Sequence, residues 1–251
     1  FDAVAAEAPG RLHEFNPQEL ANLVWAYATA EHQAGELFDA VAAEAPGKLH
    51  EFTPQGLANL VWAYATLYVP AADLVQAAVH QAMKDSDSLG RQGSANVLFA
   101  SAVLGCLTPE MLSVLGNSMA AQGVDCIDEE GLRAFFQCHL LVGQEFPAAD
   151  VALPPGLVDR AERSWAARVT KTRVSGLQAA VHAEVCRLGL GCELEGKTRD
   201  GLFSVDVMVE TPTGEQVAVE VDGPTHFTRN EPYRELGRTR LRRRLLEARV
   251  S

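Results

Sequence analysis

FDAVAAEAPGRLHEFNPQELANLVWAYAT, residues 1–29, returns as FDAVAAEAPGKLHEFTPQGLANLVWAYAT at residues 38–66. The offset is 37 residues, and near-identity over such a length marks an internal repeat, which takes precedence over any guess at fold class. A further shift of 37 lands on SANVLFASAV at 94–103, where Asn59 maps to Asn96, Trp62 to Phe99 and Ala63 to Ala100. One more shift reaches GLRAFFQCHL at 131–140, which keeps the apolar positions Ala134, Phe135 and Phe136. About four units of 37 residues result, and the first starts abruptly at Phe1.

Each unit reads as two helices. In the second unit the first helix is expected over roughly residues 37–49, with Phe38, Val41, Ala42 and Ala45 at helical spacing. Phe52-Thr53-Pro54 then breaks and restarts the chain, because Thr53 is a good N-cap and Pro54 suits the first helical position. Leu57, Leu60, Val61, Tyr64 and Ala65 give the second helix its apolar stripe. Asn16-Pro17 and Thr108-Pro109 repeat the cap-proline device. A helical pair of this size cannot bury its apolar faces alone, so the units are expected to stack as an α-helical solenoid over residues 1–142. Two readings remain open for Trp25, Trp62, Tyr27, Tyr64, Asn22 and Asn59. They pack between units, or they form a concave face that stacks on and hydrogen-bonds exposed bases.

The repeats are acidic. Residues 1–150 hold 5 Lys+Arg against 19 Asp+Glu, whereas residues 151–251 hold 16 against 14. From Gly223 onward there are eight arginines and three acids. The first part therefore repels phosphate on average, and polyanion contact is expected in the C-terminal part. No apolar run is long enough to cross a bilayer. The chain begins inside a repeat and without methionine, so any targeting segment is expected to lie outside it. The cysteines at 106, 126, 138, 186 and 192 are odd in number and form no CxxC pair, so reduced, mostly buried thiols are expected rather than disulfides or a zinc site.

GQEFPAADVALPPGL at 143–157 has three prolines and few charges, and reads as a boundary. With a connecting helix over residues 158–169, anchored by Trp165, it makes a linker of residues 143–170. Residues 171–251 then form a separate domain. Ser175 can cap a helix running to about residue 188, with Leu177, Val181, Val185 and Leu188 as its stripe and Gly189 and Gly191 as its stop. A hairpin follows. Phe203, Val205, Val207 and Val209 alternate with Ser204, Asp206 and Met208, and Val217, Val219 and Val221 with Ala218, Glu220 and Asp222, around the turn TPTGE at 211–215.

If Glu210 pairs with Gln216, Asp206 faces Glu220 and Ser204 faces Asp222. Side chains alternate across a strand, so all three carboxylates then share one face. Asp222-Gly223-Pro224 makes a sharp exit, and His226 follows. In the basic tail, Leu241, Leu245 and Leu246 share one side of a helix beginning near Thr239, with Arg240, Arg243 and Arg244 on other sides and Arg238 and Arg242 one turn apart. Two readings compete. In one, Arg234, Arg238 or Arg242 simply neutralises the carboxylates. In the other, a divalent cation sits between Asp206 and Glu220 and arginines hold a phosphate backbone, the combination phosphodiester hydrolysis needs, with His226 as a candidate proton carrier.

Two resemblances carry these readings further. P-x-x-LANLVWAYA in 37-residue helical pairs resembles octatricopeptide repeats, over roughly residues 1–140. VDVMV, VAVEVDGPTHF and GRTRLRRRLLE closely resemble the RAP domain, over about residues 173–251. Both families are found in organelle RNA-binding proteins, and the RAP domain is similar to the restriction-endonuclease-like α/β fold. The likeness implies single-stranded RNA as the partner, a plastid or mitochondrial location, and transcript processing, stability or translation as the role. It also implies metal-binding acids at Asp206 and Glu220, a first-helix acid at Glu184, and Asp222 where the family has a lysine. Arg238, Arg240, Arg242, Arg243 and Arg244 are the candidate nucleic-acid contacts. RNA binding would need no cofactor, whereas an endoribonuclease acting through Asp206, Glu220, Asp222 and His226 would need Mg or Mn. The family continues into a further strand, which Arg249-Val250-Ser251 would begin, so the domain reads as truncated. A scaffold that binds a basic protein is the third expectation.

Overall fold

Asn16, Thr53 and Thr108 start helices as their positions before proline predict. In the computed structural model, which describes residues 1–169 and 174–250, each side chain accepts a hydrogen bond from the backbone N–H three residues on. Asn16 and Glu19 form a reciprocal capping box, which satisfies two N–H groups that a helix start would otherwise leave bare. Among the described residues there are eleven α-helices and one three-stranded antiparallel sheet near the C-terminal end. No helix among them is long and apolar enough to cross a membrane.

The helices α1 (Asp2–Glu7), α2 (Pro17–Thr29), α3 (Gly35–Glu44), α4 (Pro54–Thr66), α5 (Ala72–Met83), α6 (Gly90–Leu104), α7 (Pro109–Ala120) and α8 (Glu129–Glu145) come first. Along the chain α2 packs on α4, α4 on α6 and α6 on α8, so the second helices of successive sequence units lie side by side. The first helices touch the 3-10 segments of the preceding unit. One expectation needs correcting: the helix placed over 37–49 ends as an α-helix at Glu44 and continues as a 3-10 turn, Ala45–Glu51. Pro46 has no N–H to donate and sits at the start of that turn, which is why the α-helical ladder stops there.

The tyrosines of the repeat are core residues. Tyr27 and Tyr64 are each almost wholly buried. The Tyr27 hydroxyl donates to the Phe1 carbonyl at 2.7 Å, and the Tyr64 hydroxyl to the Phe38 carbonyl at 2.6 Å. Each ring meets the phenylalanine edge-on, at 4.9 and 5.0 Å. Only the Tyr64 bond is fully buried, so Tyr64→Phe loses a hydrogen bond shielded from water and should cost about 1 kcal/mol, and Tyr27→Phe less. Urea unfolding of the two variants checks this, and equal losses would contradict it.

After α8, residues 146–156 lead to α9 (Leu157–Val169), which packs along α8 with Trp165 buried. The boundary expected at 170/171 lies outside the described residues. Then come α10 (Gly176–Arg187), β1 (Gly191–Lys197), β2 (Ser204–Glu210), β3 (Gln216–Val219) and α11 (Gly237–Val250). The Ser175 capping box begins α10. The hairpin register is the expected one, from Glu210 opposite Gln216 to Val207 opposite Val219.

β1, for which no strand was expected, completes the sheet by pairing antiparallel with β2. Its run GCELEGK offers a single strong apolar residue, Leu194, and its backbone is distorted at Glu195, which has a φ of +55°, although the register runs on unshifted from Leu194 opposite Val207 to Gly196 opposite Val205.

Two further expectations are corrected. Arg249 and Val250 belong to α11 rather than to a new strand, because Arg249 is drawn back onto the Leu245 carbonyl and Asp200; Ser251 lies outside the described residues. Cys186 and Cys192 are joined as a disulfide, since the turn from α10 into β1 brings them together, while Cys106, Cys126 and Cys138 are free thiols.

Candidate nucleic-acid interface

The basic helix α11 buries Leu241, Leu245 and Leu246 and lies against α4, α6 and α8 as well as β3. Its arginines point out of that apolar stripe, and each predicted nucleic-acid contact has a partner inside the chain. Arg238 pairs with Glu31 at 2.8 Å and donates to the Thr225 carbonyl. Arg240 pairs with Glu235 and lies 3.9 Å over the Tyr68 ring. Arg242 grips both oxygens of Glu220, at 2.7 and 3.0 Å, and donates to the Ser204 carbonyl. Arg243 reaches Glu235 and Asp222, and Arg244 reaches Glu145 and the Ala102 carbonyl.

Much of this positive charge therefore fastens α11 to the helices. Glu31 shows the strength of that attachment. Burial alone would raise its carboxyl, but hydrogen bonds from Arg238 and Arg229 outweigh it and hold the group below the usual carboxylate range.

The acid face is likewise occupied by donors. One Asp206 oxygen accepts from the Gln178 side chain and the other from the Val221 N–H at 2.6 Å. Gln178, on α10, also reaches toward Glu195 in β1, which accepts from the Ser204 hydroxyl at 2.6 Å. Glu184 lies exposed and paired with Arg187 instead. Asp222 meets His226 Nδ1 at 3.1 Å, with the Thr239 hydroxyl 3.3 Å from the same nitrogen.

Among the described residues, the one set of three His, Cys, Asp or Glu ligand atoms within 4.8 Å of one another is His182, Cys186 and Cys192, and its two sulfurs are bonded to each other. As arranged, Asp206 and Glu220 do not fit a Mg or Mn ion, because both Glu220 oxygens face a guanidinium. The group reads instead as carboxylates balanced by Arg242 and by neutral donors.

The open surface lies elsewhere. Trp25 is exposed, and Trp62 and Phe99, at the equivalent positions, are half-buried, so an aromatic row runs over α2, α4 and α6. Amides line the same helices one turn earlier. Gln55 donates to Asn59 at 2.8 Å, and Gln92 to Asn96 at 3.0 Å, the same pair repeated 37 residues on.

Where this face meets α8, α9 and α11 there is a cleft of about 480 Å³. Arg133 and Arg168 line it together with Arg238 and Arg242. Burial, then the neighbouring guanidiniums of Arg133, Arg242 and Arg238, hold the Arg168 guanidinium below the usual arginine range, and Glu130 offsets this in part. Neither Arg133 nor Arg168 was singled out above. The mean acidity of the first 150 residues hides Arg133, and Arg168 looks like an ordinary surface charge on a connecting helix.

No known protein-family model matches the chain, and no curated protein matches it. The likeness to octatricopeptide repeats and to the RAP domain rests on the residues quoted above.

Proposed function

We propose that this chain is part of a single-stranded RNA-binding protein of a plastid or mitochondrion, acting in the processing, stability or translation of transcripts. The carrying observation is the division of labour within the repeat: Tyr27 and Tyr64 are buried, whereas Trp25, Trp62 and Phe99 remain accessible in a row. Accessible aromatic rings beside amides suit unpaired bases, whose faces stack and whose edges hydrogen-bond. Helical pairs packed side by side support this, as does a C-terminal part of helices around a three-stranded sheet, compatible with an α/β domain.

The test is fluorescence anisotropy with a mixed-sequence single-stranded RNA at low salt, beside its duplex. Binding of the single strand that weakens steeply with salt is expected. No binding of the single strand at low salt overturns the proposal.

A basic protein partner is the second reading. It is favoured by Leu177 on α10 and Leu188 at its C-cap, which stay exposed, and by the acidity of the helical part. A salt-sensitive complex with protein but not RNA would put it first.

A further inference from the structure

We propose that the cleft between α4, α6, α8 and α9 on one side and α11 on the other holds one nucleotide unit of the RNA strand, its phosphate between Arg133 and Arg168 and its base against Trp62 and Phe99. The proposal rests on the RNA-binding reading and names the place where the strand is gripped.

Charge is the first argument. Arg238 and Arg242 line the cleft but have carboxylates of their own, Glu31 and Glu220. Among the described residues, Arg133 and Arg168 form no ion pair with a carboxylate, and Arg168, exposed at the surface, stands beside the like charges of Arg133, Arg238 and Arg242, which Glu130 in the same cleft offsets only in part. Like charges that crowd each other are relieved by an anion, and a planar guanidinium offers paired donors that match phosphate oxygens.

Hydrogen bonding is the second argument, and it is independent of charge. Thr66 is one of the residues lining the same cleft, it is 8% exposed, and its buried hydroxyl oxygen has no hydrogen-bond partner among the described residues. Buried hydroxyls are rarely left so, and a ribose hydroxyl or a base edge would complete it.

Shape is the third. Trp62 and Phe99 are the members of the aromatic row that reach the cleft, and Trp165 in its wall is already committed, its Nε1–H donating to the Leu202 carbonyl. A volume of about 480 Å³ is that of a small-molecule site, which suits one nucleotide rather than a run of them.

The test compares the full chain with an Arg133→Gln/Arg168→Gln variant by anisotropy across a salt series, using the same single-stranded RNA. The variant should bind at least tenfold more weakly, and its dependence of log affinity on log salt should flatten by about one unit. Trp62→Leu should weaken binding about tenfold and leave that slope unchanged, since stacking releases no counterions.

If the wild type binds and the double variant binds equally with the same slope, the cleft assignment is wrong while the RNA-binding reading stands. If the wild type does not bind, both fall. Photo-crosslinking of 4-thiouridine RNA to the wild type decides the matter should the double variant fail to fold. Crosslinks on α4 and α6 beside the cleft support the site, and crosslinks confined elsewhere overturn it. Uridine monophosphate alone binding more tightly than the strand would replace the RNA with a free nucleotide and overturn the assignment.

Discussion

Gly237→Ala should detach the basic helix from the helical array. A methyl group at Gly237 would overlap the backbone carbonyl of Ala65, in the last turn of α4, and would lie 2.8 Å from Val103 Cγ1 on α6. A flexible side-chain end could swing aside, but a helix carbonyl already held in its ladder cannot, so α11 must move as a body. Overpacking of this kind costs about 3 kcal/mol, toward the upper end of its usual range. For a chain of this size that lowers the melting temperature by on the order of 10 °C.

The displacement would also open the cleft, since Arg238 and Arg242 ride on α11, so RNA binding should weaken with stability. Gly143→Ala is the control. That glycine lies exposed in α8 with nothing within 4 Å of an added methyl, and alanine there should be neutral or mildly stabilising. Thermal melts of the two variants side by side give the answer, and equal melting temperatures would show that α11 does not dock through Gly237.

Local rules written in the chain were legible where they were strong. Cap residues before proline placed the starts of α2, α4 and α7, and the alternating valines with Pro and Gly in the turn placed the β2–β3 register. β1 was not legible, because one leucine among glycines and charged residues does not make an alternation. The 3-10 turns after α1 and α3 hid in an apolar pattern that continues past the proline.

The site was legible only by face. Alternation puts Asp206 and Glu220 together, yet it cannot say that Gln178 and Arg242 will take their oxygens. Helical spacing puts the arginines of α11 outside its leucines, yet their partners Glu31 and Glu145 come from far earlier in the chain. Long-range pairing of that kind has no local signature. A cleft whose free cations come from α8 and α9 is invisible for the same reason.

Trp165→Ala should be among the costly single changes, because this one side chain joins α9 to α8 and to the start of the sheet. It is 6% exposed, its ring lies 6.0 Å from Phe136 on α8, and it meets Phe203 at the start of β2 edge-on at 5.3 Å. Its indole N–H donates to the Leu202 carbonyl, and Arg249 stacks on the Phe203 ring from α11 at 5.1 Å. Truncation leaves a cavity the size of an indole and a carbonyl without its donor, a loss of about 3–5 kcal/mol. Trp165→Phe keeps most of the packing and loses the hydrogen bond, so it should cost about 1 kcal/mol, and the difference between the variants measures the packing alone.

The form of unfolding is as informative as its midpoint. The sheet and the helical array share this anchor and the α11 ion pairs, so calorimetry of Trp165→Ala should split one transition into two, the C-terminal part melting first. A single transition with a loss under about 1 kcal/mol would mean that the ion pairs of α11 hold the junction without it, contrary to the modest strength expected of partly exposed pairs.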